Sequence, residues 1–141
     1  MKFRIFLLSL CLVYACATSA LADVRIWNDA GGEISSYLHR AKEARASGEL
    51  TVIDGPCMSA CTLLVFSLPK DKVCVTPRAE LGFHVASTDL AGLHPSKVGT
   101  QVVMQIYPPS IRSWIARHGG LKRDPIYLRG AELDKFVQPC P

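Results

Sequence analysis

Aromatic residues are scarce, at 8% of 141 residues, and no stripe of them interleaves the basic side chains. A single-strand nucleic-acid binder needs aromatic platforms beside clustered cations, so that class is excluded. Neither sign of charge dominates: 16 Lys and Arg stand against 12 Asp and Glu, a formal net charge of +4. There is no internal repeat and no low-complexity tract, which argues against solenoids and disordered linkers. No His pair lies close in sequence to the cysteines, and Cys57-x3-Cys61 has helical rather than zinc-knuckle spacing. Neither a metal nor a cofactor is therefore expected.

What is present begins with a targeting segment. Lys2 and Arg4 precede a nearly unbroken apolar run, Ile5 to Ala17, and Ala20-Leu21-Ala22 offers a small-x-small cleavage pattern. The run is too short to span a bilayer. Residues 1–22 read as a secretory signal peptide and 23–141 as one α/β domain, periplasmic or secreted, with no transmembrane segment after cleavage. Cys16 follows Ala15, but Tyr14 fits a lipid-attachment box poorly, so lipoprotein anchoring is not expected. Removal leaves 119 residues with 14 basic against 12 acidic side chains, enough for a modest core. Cys57, Cys61, Cys74 and Cys140 remain. Four cysteines in an exported chain imply two disulfides, with three possible connectivities. Spacing does not choose among these; the pairing expected joins Cys57 or Cys61 to Cys74 and the other to Cys140.

Val24-Arg25-Ile26-Trp27 alternates as a strand and ends at Asn28-Asp29-Ala30-Gly31-Gly32. Gly32 to Gly48 carries apolar residues at helical spacing, with Ile34, Leu38 and Ala41 on one stripe and Gly48 as a stop. Leu50 to Ile53 is again strand-like, so 24–53 predicts a βαβ unit with a parallel pair. Asp54-Gly55-Pro56 turns the chain. Ala60 to Leu68 is apolar nearly all round, which predicts a buried helix closed by Pro69. Val73 to Val75 and Glu80 to Val85 are further strands, with His84 at the carboxyl end of the second, where open α/β folds place their sites. Residues 87–99 read as a surface loop or lid. Val102 to Tyr107 reads as the end of a helix. A further helix starts at Pro108-Pro109 and stops at Gly119-Gly120. Ile126 to Leu128 is a short strand, and Gly130 to Leu133 a helical turn.

Ser59 lies where a strand passes through a tight turn into the buried helix. A serine hydroxyl is a weak nucleophile until a base takes its proton, a third group orients that base, and N–H donors await the oxyanion. Ser59 is the candidate nucleophile and His84 the candidate base. The backbone N–H groups of Gly31 and Ala60 are the candidate oxyanion donors, the latter aided by the helix N-terminus. The plain alternative is that Ser59 only caps a core helix.

These residues together resemble the ClpP-like serine peptidases of the ClpP/crotonase superfamily, in particular small exported bacterial members. In that family a strand ends in an Asn-Ser-Pro-Gly-Gly turn, matched here by Asn28 to Gly32. The nucleophile sits in a Gly-x-x-x-Ser segment opening a buried helix, matched by Gly55 to Ser59. The catalytic His closes the strand after the helix and a short hairpin, matched by Arg78 to His84. An Arg-Asp turn, here Arg123-Asp124, makes Asp124 the implied third triad member. The resemblance covers about residues 24–137. It implies a small ClpP/crotonase-like fold of βαβ units, stapled by disulfides. The family has one or more strands before the Gly-Gly strand, whereas here the signal segment abuts it. That implies either a truncated sheet or an edge covered by another subunit of a homo-oligomer. Some relatives need a partner ATPase, but an exported domain lacks an ATP supply, so processive unfolding of substrates is not expected.

Two functions stay open, beside a third reading as a structural or envelope-associated protein with no site. One is an exported serine hydrolase of peptidase type acting on a peptide or protein. The other is a non-catalytic periplasmic domain that keeps the fold and binds a peptide or protein.

Overall fold

β1 (Val24–Ile26) and β2 (Thr51–Ile53) lie parallel, joined by α1 (Ile34–Ser47), in a computed structural model that describes residues 23–89 and 93–141. The signal segment 1–22, including Cys16, lies outside the described residues, as does Gly92 of the expected loop. β4 (Val73–Val75) adds to β2 in parallel, giving the order β1-β2-β4. Every residue of β2 and β4 is buried, as expected of parallel strands rich in β-branched residues and covered on both faces. α1 buries Tyr37 and Ala41 and ends at Gly48 in the left-handed conformation (φ 72°), whose N–H bonds the Ala44 carbonyl.

A second sheet, in the order β3-β5-β6, carries the site. β3 (Pro56–Met58) runs parallel to β5 (Glu80–Phe83), and β6 (Ile126–Arg129) runs antiparallel to β5. The sequence reading has no strand at β3. Its residues become a strand because they are paired on both flanks, by β5 and by a bridge from Asp29 to Cys57. α2 (Cys61–Ser67) follows, with Cys61 to Val65 all buried.

α3 (Lys97–Ile106) starts earlier than the polar loop suggests. Ser96 caps it, its Oγ accepting from the Gly99 N–H at 3.0 Å. α4 (Pro109–Arg117) buries Ile111, Trp114 and Ile115, and α5 (Gly130–Leu133) follows β6. Phe83 packs against Tyr107 and Trp114 with ring centroids 5.4 and 5.5 Å apart, joining β5 to α3 and α4.

The disulfides correct the expected pairing. Cys57 bonds Cys61, and Cys74 bonds Cys140. The second ties the C-terminal tail along the outer edge of β4, where Val75 N–H donates to Gln138 O (3.0 Å) and Cys140 N–H to Val75 O (2.9 Å). That edge is thereby covered. The result is a small α/β domain with parallel strands and two disulfide bonds. Among the described residues no helix is long and apolar enough to cross a membrane.

Candidate functional site

Ser59 stands between the end of β3 and the start of α2, and among the described residues it is the one non-glycine with positive φ, at 54°. L-residues adopt that conformation only under constraint, and such constraint gathers at functional sites. The constraints are visible. The Ser59 N–H donates to Gly82 O (2.8 Å), and its carbonyl accepts from the Thr62 N–H (3.0 Å) and Thr62 Oγ1 (2.6 Å). The Cys57–Cys61 bridge closes across the same turn, with its Cα atoms 5.3 Å apart. A left-handed residue between them folds the strand end back over the helix start and brings the two sulfurs together. Ser59 Oγ makes no hydrogen bond among the described residues. Since no buried side-chain N or O there lacks a partner, it stands open to the cavity it lines.

The Gly-Gly turn is laid against this serine. Asp29 N–H donates to Pro56 O and Met58 N–H to Asp29 O, both at 2.8 Å, which ties the turn to β3. Gly31 then approaches so closely that a Cβ on it would stand 2.5 Å from Met58 O and 2.7 Å from Ser59 Cβ. The Asp29 carboxylate holds the turn's shape. It accepts from Gly31 N–H at 2.9 Å, from the Tyr37 hydroxyl, and from Arg40 at 3.2 Å. Burial pushes the Asp29 carboxyl up, but these bonds outweigh it and leave it below its ordinary range. Burial and the neighbouring Asp29 together push the Tyr37 phenol up to about 12.

That geometry changes the expected donor set. The Gly31 N–H is occupied by Asp29 and is not free for an oxyanion. The Gly32 N–H makes no hydrogen bond among the described residues, nor does that of Ala60, and both residues line the cavity.

His84 follows β5 and is half-buried against the same cavity. Its Nδ1 lies 2.7 Å from Val85 O. A carbonyl only accepts, so this bond places the proton on Nδ1 and leaves the Nε2 lone pair free to take a proton. Asp124, expected to orient the ring, is exposed and does not line the cavity, although Arg123 and Pro125 on either side of it do. It makes no ion pair or side-chain hydrogen bond among the described residues; Val85 O holds Nδ1 instead.

The cavity has a volume of about 1090 Å³. Ile34 and Leu38 of α1 and Val102 and Val103 of α3 are among its apolar lining residues. Asp89 lines it too, with its carboxylate committed to the Leu93 N–H and to the His94 N–H and ring. Those bonds hold it below its ordinary range, the Leu93 N–H first among them. Arg123 bridges to Leu93 O at 2.7 Å. Thr62, Tyr107, Asp89 and Arg123 were not legible as site residues. Thr62, three residues beyond Ser59 on a helix start, is the one that spacing could have found. Among the described residues no group of three or more His, Cys, Asp or Glu is arranged to hold a metal ion.

Asp54 closes β2 just before this turn. Its buried carboxylate accepts from Thr76 Oγ1 (2.7 Å), from Nε and Nη2 of Arg78 and from Arg25 Nη1 (2.8 Å). The Thr76 hydroxyl and the Arg78 guanidinium hold it far below the usual carboxylate range.

No protein-family model and no curated protein matches this chain.

Proposed function

We propose that this domain is a serine hydrolase of peptidase type, with Ser59 as nucleophile and His84 as general base. The observation that carries the reading is the backbone of Ser59. A serine held at φ 54° between a strand and a helix, in a conformation costly for an L-residue, has its hydroxyl open to a cavity that His84 also lines. Ser59 Oγ attacks the scissile carbonyl as His84 Nε2 takes its proton, and the same imidazolium later protonates the leaving amine. The N–H groups of Ala60 and Gly32 stabilise the oxyanion. The Val85 carbonyl, rather than a carboxylate, keeps the ring in the tautomer that a base requires. No direct bond joins Ser59 to His84, a looseness common before substrate binds. The cavity is large enough for a side chain and its flanking peptide backbone. The parallel βαβ unit and the Gly-Gly, Ser and His order agree with a ClpP/crotonase-like fold, and the two disulfides agree with an exported location.

Asp124 favours the second reading, a non-catalytic peptide-binding domain, because an exposed Asp124 leaves His84 without a carboxylate partner. Hydrolysis of a fluorogenic peptide library separates the two. A hydrolase cleaves some members, and Ser59→Ala and His84→Ala abolish cleavage. A binding domain retains peptides in a calorimeter and cleaves none.

A further inference from the structure

We infer that Tyr107 is a positioning residue for the oxyanion donor of Ala60, acting through Thr62 and the Ser59 carbonyl; the inference rests on the reading of Ser59 as a nucleophile. Tyr107 OH lies 2.5 Å from Thr62 Oγ1, and Thr62 Oγ1 lies 2.6 Å from Ser59 O. The direction of both bonds is fixed. A carbonyl only accepts, so the single hydroxyl proton of Thr62 goes to Ser59 O, and Tyr107 must donate the other bond. Burial pushes the Tyr107 phenol up, which keeps that proton in place. Thr62 is 0% exposed and Tyr107 3%, so water does not compete for either bond.

The consequence lies in one peptide plane. The Ser59 carbonyl and the Ala60 N–H belong to the same trans peptide and point in opposite directions. Whatever holds the carbonyl inward aims the N–H outward. Thr62 holds that carbonyl, Tyr107 holds the Thr62 hydroxyl in place, and Ala60 lines the cavity. The far end of the relay is rigid, because the Tyr107 ring packs edge-on against Phe66 and Phe83 at 6.0 and 5.4 Å. α3 thus reaches the catalytic turn from 45 residues away.

Tyr107→Phe keeps the ring and removes the donor. It should fold with a cooperative transition yet be phosphonylated at Ser59 by a fluorophosphonate, with loss of fluoride, about tenfold more slowly, less than the full loss of an oxyanion donor. In peptide hydrolysis the loss should fall on kcat with KM unchanged, a split that a packing role does not produce. Thr62→Val should be at least as slow, and the double variant no slower than Thr62→Val, since both cut one relay. A folded Tyr107→Phe that reacts at the wild-type rate overturns the inference, as does additivity in the double variant. A wild type that never reacts defeats the hydrolase reading instead. The relay is then judged by amide hydrogen exchange at Thr62, whose N–H bonds Ser59 O. Exchange about tenfold faster in Tyr107→Phe supports the relay, and unchanged exchange overturns it.

Discussion

Gly31 and Gly48 form a matched pair for testing how tightly the Gly-Gly turn is pressed onto Ser59. Both have left-handed backbone, at φ 85° and 72°. An alanine at either site meets the same intrinsic penalty, about 1–2 kcal/mol. Their surroundings differ. Nothing lies within 4 Å of a Cβ built on Gly48, whereas one on Gly31 would meet Met58 O at 2.5 Å, Ser59 Cβ at 2.7 Å and Ala60 N at 3.1 Å. Those atoms are backbone or Cβ, fixed by β3 and the Cys57–Cys61 bridge, and no rotamer relieves the contact. Overpacking of this kind adds about 1–3 kcal/mol. Gly48→Ala should therefore destabilise by about 1–2 kcal/mol and Gly31→Ala by about 2–5 kcal/mol in urea denaturation followed by circular dichroism. Gly31→Ala should also slow covalent labelling of Ser59 by more than about tenfold, and Gly48→Ala should not change it. Equal stability losses, or wild-type labelling in Gly31→Ala, would refute the reasoning that this contact shapes the site.

Ser59→Gly should be more stable than Ser59→Ala by about 1 kcal/mol, because only glycine relaxes at φ 54°; equal urea midpoints would show that Ser59 stores no strain. Replacing Cys74 and Cys140 by Ala opens a loop spanning 66 positions and should cost about 4 kcal/mol, against about 2 kcal/mol for the Cys57–Cys61 pair spanning 4. The reverse order in thermal denaturation would contradict the tail's role as edge cover. Asp54 titrates lower in the folded state than in the unfolded chain. Its contribution is therefore complete above the unfolded carboxylate value and is lost as pH falls through the folded one, a window below about pH 4. Asp54→Asn should flatten stability against pH between about pH 5 and about pH 2, and an unchanged slope would contradict the assignment.

The βαβ unit was legible because Val24–Ile26, the Ile34–Leu38–Ala41 stripe and Leu50–Ile53 each carry their own period, and Gly48 marks the stop. β3 was hidden because Pro56-Cys57-Met58 has no alternation and opens on proline; its partners, not its own residues, make it a strand. The start of α3 was hidden by Gly99, which reads as loop but serves the Ser96 cap. The cysteine pairing could not be read from spacing, since it depends on one left-handed residue at position 59. In the candidate site, the places of Ser59 at a turn and His84 at a strand end were legible, and both residues line the cavity. The Val85 carbonyl on His84 was not, because a backbone acceptor has no side-chain signature. Nor was the loss of Gly31 as a donor, which follows from the Asp29 carboxylate folding back onto its own turn.

The most direct test of the central claim is the intact mass of the purified protein after reaction with a fluorophosphonate probe, with the modified residue located by peptide sequencing. The account predicts one adduct, on Ser59, formed as its Oγ displaces fluoride and absent from Ser59→Ala and His84→Ala. An unmodified, well-folded wild type beside a reacting serine hydrolase control, or an adduct on any other residue, would contradict it.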